Sequence, residues 1–204
     1  MRTLLTYGDS NTWGLVPGSR PAERFPWETR WTGILQELIG SDWRVLEEGL
    51  CGRTTVFEDA LRPGRRGVST LPGILESHSP IDRAILMLGT NDCKSVYGAS
   101  AYTIGRGIEL CLDILEKYVN PSQILLVSPL YLGDDVFLPE KDPEFGTESI
   151  RISRELKYVY SGIAHRRGTL FLASSDFVSP SPVDDEHLDA EGHRLFAEAV
   201  AAAM

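Results

Sequence analysis

Along the chain, short apolar runs of strand length alternate with longer stretches whose apolar residues return every three or four positions. The runs Thr3–Tyr7, Trp43–Glu47, Ala84–Leu88, Ile124–Val127 and Thr169–Leu172 predict five strands. The stretches between and after them predict helices over Trp31–Ile39, Leu71–Ser77, Ala101–Tyr118, Thr147–Arg167 and Ala190–Ala203. Within Ala101–Tyr118, Ile104, Ile108, Cys111, Leu112 and Leu115 share one helical face. Within the last helix, Leu195, Phe196, Ala199, Val200 and Ala203 do the same, with Asp189 as N-cap. Strands that alternate with helices imply βαβ crossovers and a parallel sheet covered on both faces. Open sheets of this kind hold their ligands beyond the carboxyl ends of the strands.

Three polar, glycine-bearing loops leave successive strands at that edge. Tyr7 leads into Gly8-Asp9-Ser10-Asn11, Glu47 into Glu48-Gly49-Leu50-Cys51-Gly52-Arg53-Thr54, and Leu88 into Gly89-Thr90-Asn91-Asp92. One such loop is a turn; three together suggest a site. The long connection Ser128–Glu148 follows the fourth strand and mixes Pro129, Pro139 and Pro143 with Tyr131, Phe137, Leu138 and Phe145. Its length and its aromatics predict a lid, a substrate wall or a subunit contact rather than a free linker.

Composition narrows the function classes. The length of 204 residues fits a single domain spanning residues 1–204, with 42% hydrophobic and 24% charged residues. No segment approaches the roughly eighteen consecutive apolar residues of a membrane helix. Leu4-Leu5 is too short for the apolar core of a signal peptide, so a cytoplasmic protein is expected. A net charge of −9 argues against a nucleic-acid partner, and Arg62-Pro63-Gly64-Arg65-Arg66 reads as a solvated loop. Cys51, Cys93 and Cys111 lack C-x-x-C spacing and are odd in number, which fits reduced thiols rather than disulfides or zinc. Neither phosphate-cradling glycine pattern, Gly-x4-Gly-Lys-Ser/Thr or Gly-x-Gly-x-x-Gly, follows the first strand. No cofactor is expected.

A serine hydroxyl becomes a nucleophile only when a base takes its proton and a third group orients that base. Four histidines could serve Ser10. His78 falls in a Ser/Pro turn, His165 at a basic helix end, and His193 in the first turn of the last helix, facing solvent or packing locally. His187 lies in the loop after the fifth strand, three residues beyond Asp184, so one tight turn can bring the carboxylate to the imidazole. The competing reading of Asp184-Asp185-Glu186 is a solvated acidic loop. Acyl transfer also needs donors aimed at an oxyanion. The N–H of Ser10, the unhindered amide of Gly52 and the Asn91 side chain are candidates; a turn glycine and a loop-capping amide are the alternatives. Asp9 and Asp92 read as loop-holding carboxylates. Trp13 lines a substrate pocket or anchors its loop.

Taken in order, Gly8-Asp9-Ser10, Gly52-Arg53-Thr54, Gly89-Thr90-Asn91-Asp92 and Asp184-x-x-His187 resemble the four sequence blocks of the SGNH (GDSL-type) hydrolases over essentially the whole chain. Trp13-Gly14, Glu47-Glu48-Gly49-Leu50 and Arg53-Thr54-Thr55 are similar to the small bacterial arylesterase and acyltransferase branch. The resemblance implies a flavodoxin-like α/β/α sandwich with a five-stranded parallel sheet. It implies Ser10 as nucleophile and first oxyanion donor, Gly52 and Asn91 as further donors, His187 as base and Asp184 as its orienter. It also implies a metal-free esterase acting on small short-chain esters, with possible acyl transfer to alcohols, and a homo-oligomer. A thioesterase, a carbohydrate acetylesterase and a non-catalytic or phosphate-binding module on the same fold are the alternatives. One departure stands out: Glu47-Glu48 occupy a region where many members carry Asn, which puts the hydrogen bonding of the second loop in question.

Overall fold

The computed structural model describes residues 1–204. Five parallel strands, β1 (Arg2–Gly8), β2 (Trp43–Gly49), β3 (Arg83–Met87), β4 (Ile124–Ser128) and β5 (Leu170–Ala173), lie in the order β2-β1-β3-β4-β5. Gly8 is in register with both Gly49 and Met87, so the first three strands end level. The strand order reverses between β1 and β3, and the loops leaving these strands open a crevice there.

The strands look uniformly apolar, yet alternate residues serve opposite layers. Leu5, Ala84, Leu86, Ile124 and Leu126 point into one core with Leu71, Leu75, Ile104, Ile108 and Leu156. These come from α3 (Gly67–His78), α4 (Ala101–Leu115) and α5 (Thr147–Arg167). Leu4, Ile85, Met87, Leu125 and Val127 point the other way, onto Trp31, Leu35, Phe196 and Val200. These belong to α2 (Trp31–Ile39) and α6 (Ala190–Ala203). Trp31 and Phe196 meet edge to face with centroids 5.1 Å apart, fastening α2 to α6. The result is the expected three-layer α/β/α sandwich. No helix is long and apolar enough to cross a membrane.

Several local expectations shift. The third predicted strand and the last turn of α4 move by one to three residues, where the ladder rather than apolarity sets the limit. The helix predicted from Leu71 begins at Gly67 and carries Pro72 inside it. Proline tolerates the first turn best, which is why the sequence pattern starts that helix too late. His78 consequently ends α3 instead of sitting in a turn, with its Nε2 3.0 Å from Glu48 Oε1. A single helical turn, α1 (Ser10–Trp13), was not anticipated. The segment 128–148 folds back on the sheet edge, burying Leu130, Leu132, Val136 and Phe145.

Candidate active site

Ser10 opens α1 directly after β1. Asp9 caps that turn, its Oδ1 accepting the Asn11 N–H at 3.1 Å, and Gly14 closes it in the left-handed region at φ 85°. The Ser10 N–H is the first of the helix and has no acceptor within it. Such a short turn is held by tertiary contacts, not propensity. Gly49 lets β2 close against it, because a Cβ there would come within 2.2 Å of the Trp13 nitrogen.

Across the crevice, His187 Nε2 lies 2.9 Å from Ser10 Oγ, and His187 Nδ1 lies 2.8 Å from Asp184 Oδ2. The Asp184 carboxylate also accepts the N–H groups of Glu186 at 3.1 Å, His187 at 3.0 Å and Gly18 at 3.0 Å. These bonds make the acidic stretch an ordered turn, not a solvated loop. Asn11 reaches the same turn from the serine side, donating to the Glu186 carbonyl and accepting the Leu188 N–H. Its Asn11 carbonyl in turn accepts the Trp31 indole N–H at 3.1 Å.

The second and third loops meet beside Ser10. Gly52 adopts φ 82°, a backbone that L side chains rarely take, and its N–H makes no hydrogen bond within the fold. Asn91 donates one side-chain N–H to the Arg53 carbonyl at 3.1 Å, leaving the other uncommitted. Asp92 ties the two loops together, both its oxygens accepting the Thr55 N–H at 3.0 Å. Arg53, buried, donates to the carbonyls of Gly8 and Glu48 and stacks 4.1 Å from the Tyr7 ring. The Glu47-Glu48 departure is thereby accounted for. Glu47 pairs with Arg24 at 2.7 Å and Arg30 at 3.1 Å, while Glu48 meets His78.

Ser10, Gly52, Asn91 and His187 line one cavity of about 290 Å³. Asp184 and His187 border a neighbouring one of about 240 Å³. Trp13 lines neither: its carbonyl accepts Arg24 Nε at 2.7 Å and its ring lies 5.1 Å from that guanidinium. The αL turn at Gly14 carries the chain past it, so Leu15, not Trp13, reaches both cavities.

A family model described as the GDSL-like lipase/acylhydrolase family matches residues 6–195. The chain belongs to this family. It is a hydrolase acting on esters, built on the SGNH architecture. Comparison with curated proteins returns no match. Among solved structures, an aryl esterase of M. smegmatis is 32% identical with a TM-score of 0.91, over 99% of this chain and 97% of its own. A carbohydrate acetylesterase from Sinorhizobium meliloti is 33% identical with a TM-score of 0.91, over 99% and 97% of the two chains. A lipolytic G-D-S-L protein of Veillonella parvula shares the fold at 13% identity and a TM-score of 0.74, over 100% and 98%.

In this GDSL-type hydrolase the buried charges at the sheet edge are strongly perturbed. Burial disfavours the His187 imidazolium, but Glu186, Asp184 and Asp9 outweigh it and raise the group to about 9. Burial also opposes ionisation of Asp184, yet the hydrogen bond and charge of His187 hold its carboxyl below the usual range. Desolvation pushes Asp9 up to about 6 and Asp92 up to about 7. His193 is fully buried, not solvent-facing: its Nδ1 accepts the Trp31 N–H at 3.2 Å and burial lowers it to about 4.

Sequence reasoning passed over Asn11 and Glu186. Asn11 lies in the polar Gly8-Asp9-Ser10-Asn11 loop, where composition marks only a turn, and its long-range bonds reveal a second use. Glu186 was grouped with an acidic loop, and no spacing rule distinguishes it there.

Proposed function

We propose that the chain is a metal-free serine esterase of small, short-chain carboxylic esters, including aryl, alkyl and acetyl esters. The observation that carries this reading is the double engagement of one imidazole, with Ser10 Oγ at 2.9 Å on one nitrogen and Asp184 at 2.8 Å on the other. In this mechanism neutral His187 takes the Ser10 proton as Oγ attacks the ester carbonyl. Asp184 fixes the tautomer that leaves Nε2 free to accept and stabilises the imidazolium that forms. The N–H groups of Ser10 and Gly52 and the free amide N–H of Asn91 receive the developing oxyanion. His187 then returns its proton to the departing alcohol, leaving an acyl group on Ser10. Water, or a second alcohol, removes the acyl group by the same steps in reverse.

The small cavities around Ser10 support short acyl groups, since Leu15, Ala22 and Cys51 are their hydrophobic residues and a chain of many methylenes has little to bury against. The aryl esterase and the carbohydrate acetylesterase, both above 30% identity over nearly full length, support the same class of substrate.

A fluorophosphonate tests the reading. Covalent addition is expected at Ser10, lost in Ser10→Ala and slowed in His187→Ala. Turnover of p-nitrophenyl acetate that persists undiminished in Ser10→Ala overturns it.

A further inference from the structure

Beside His187 stands a carboxylate that the mechanism does not use. Glu186 is 4% exposed, yet neither of its carboxylate oxygens accepts a hydrogen bond from the protein. His187 Nε2 lies 3.7 Å from Oε1, beyond hydrogen-bond reach, and is committed to Ser10 Oγ. Lys94, across the cavity, is committed elsewhere, to Glu144 and, at 3.7 Å, to Asp142. The Glu186 oxygens open onto the cavities rather than being sealed in the core, and desolvation pushes Glu186 up to about 7 against the pull of His187 and Lys94.

The position of this carboxylate gives it a use. Glu186 lines both cavities, which also share Leu15, Ser19, Arg20, Asp142 and His187. The smaller cavity is walled by Gly18, Lys141, Pro143 and Asp184 as well, and Leu15 is its hydrophobic residue. An apolar alcohol or acyl chain placed there would strip polar groups of water without replacing their hydrogen bonds. A group rich in O–H donors would satisfy the free oxygens of Glu186 at the moment it binds.

We propose that Glu186 determines specificity by accepting hydrogen bonds from hydroxyl groups of the substrate next to the ester, so that polyhydroxylated esters are favoured over alkyl esters. This rests on the ester-hydrolysis reading above and deepens it. Sites that hydrogen-bond a substrate hydroxyl discriminate strongly, because the analogue lacking it leaves a buried polar group unpaired.

The test is a matched pair: glycerol 1-acetate and propyl acetate, which differ by two hydroxyls on the same three-carbon alcohol. The ratio of their kcat/KM values, taken at one pH, cancels any effect of Glu186 on the His187 proton and any loss of folded enzyme. Against wild type, Glu186→Met is expected to lower this ratio about tenfold or more, the scale of a charged hydrogen bond. Glu186→Gln, which keeps an acceptor oxygen, is expected to retain most of it. A ratio unchanged in Glu186→Met, with hydrolysis dependent on Ser10, overturns the role of Glu186 alone. Preference of the wild type for acetylcholine over glycerol 1-acetate, lost in Glu186→Gln, overturns it in favour of a cation site. Hydrolysis of both esters undiminished in Ser10→Ala overturns the esterase mechanism and this role with it.

Discussion

Asn11 holds Leu188: its Oδ1 accepts the Leu188 N–H at 2.9 Å, while its Nδ2 donates to the Glu186 carbonyl at 3.3 Å. The two bonds straddle His187, so the residue after the serine fixes the backbone on both sides of the imidazole. Asn11→Ala leaves a buried N–H and a buried C=O without partners, at roughly 1–3 kcal/mol each. The expected outcome is a lower Tm and a kcat reduced about 10²-fold, the scale of a 1 Å misplacement. Thermal unfolding and steady-state kinetics on p-nitrophenyl acetate check it. A normal kcat in a folded variant shows that His187 is positioned without Asn11.

In the proposed mechanism the rate of ester hydrolysis depends on neutral His187, which faces Asp184, Glu186 and Asp9 and is raised to about 9. Protonated imidazole cannot accept the serine proton, so kcat/KM is expected to rise with pH and level off only in the alkaline range. Removing the Glu186 charge lowers the His187 value and moves the rising limb to lower pH. At pH 7, Glu186→Gln is therefore expected to work at a larger fraction of its own plateau than wild type does. A full pH profile of each enzyme decides; a limb in the same place in both sinks the coupling.

The layered fold and the convergence of four loops were legible from the residues, because strand–helix alternation and turn chemistry are local properties. Ser10, Gly52, Asn91, Asp184 and His187 all stand at the sheet edge where strand order put their loops. Other features depend on contacts between distant segments. Asn11 bonds residues 175 and 177 positions away, and nothing in its neighbourhood announces that. Glu186 is distinguished from Asp185 only by the direction of a turn, in which Asp185 takes φ 59° and meets Lys141 at 2.6 Å. His193 could have been placed better: it shares its helical face with Phe196, Ala197 and Val200, all buried. Of the two readings of Trp13, the loop anchor fits its contacts with Arg24, because proximity in sequence to Ser10 is undone by one left-handed glycine.

Asp92 stabilises the site at a cost that grows with pH. Its carboxyl is raised from 3.8 to about 7 by burial, so the folded state holds a proton that the unfolded state gives up. Stability from this group is greatest below about pH 4 and falls as pH rises toward 7. Asp92→Asn keeps an acceptor for the Thr55 N–H and cannot ionise. The difference in Tm between this variant and wild type is expected to shift in the variant's favour from pH 5 to pH 7.5. Comparing the two proteins at each pH cancels the opposite contribution of His193, which is lowered to about 4. A difference that stays flat with pH means that Asp92 is not protonated in the fold.

Asn91 separates the chemistry from the scaffold. One of its side-chain N–H groups supports the Arg53 carbonyl, and the other is free at the cavity that holds Ser10. A donor that strengthens its hydrogen bond only as the carbonyl becomes an oxyanion lowers the barrier without tightening the ground state. Asn91→Ala is therefore expected to lower kcat about 10²–10³-fold, the loss of one oxyanion donor, with KM changed far less. Asn91→Asp is the sharper variant. It can donate no better than alanine can, and it sets a negative charge against the oxyanion, so its kcat is expected to fall below that of Asn91→Ala. Fluorophosphonate labelling of Ser10 in the same variants tracks attack on a tetrahedral centre that also gathers charge on oxygen, and it is expected to slow in the same order. Equal kcat values for all three proteins remove Asn91 from the oxyanion site and leave the two backbone amides to do that work.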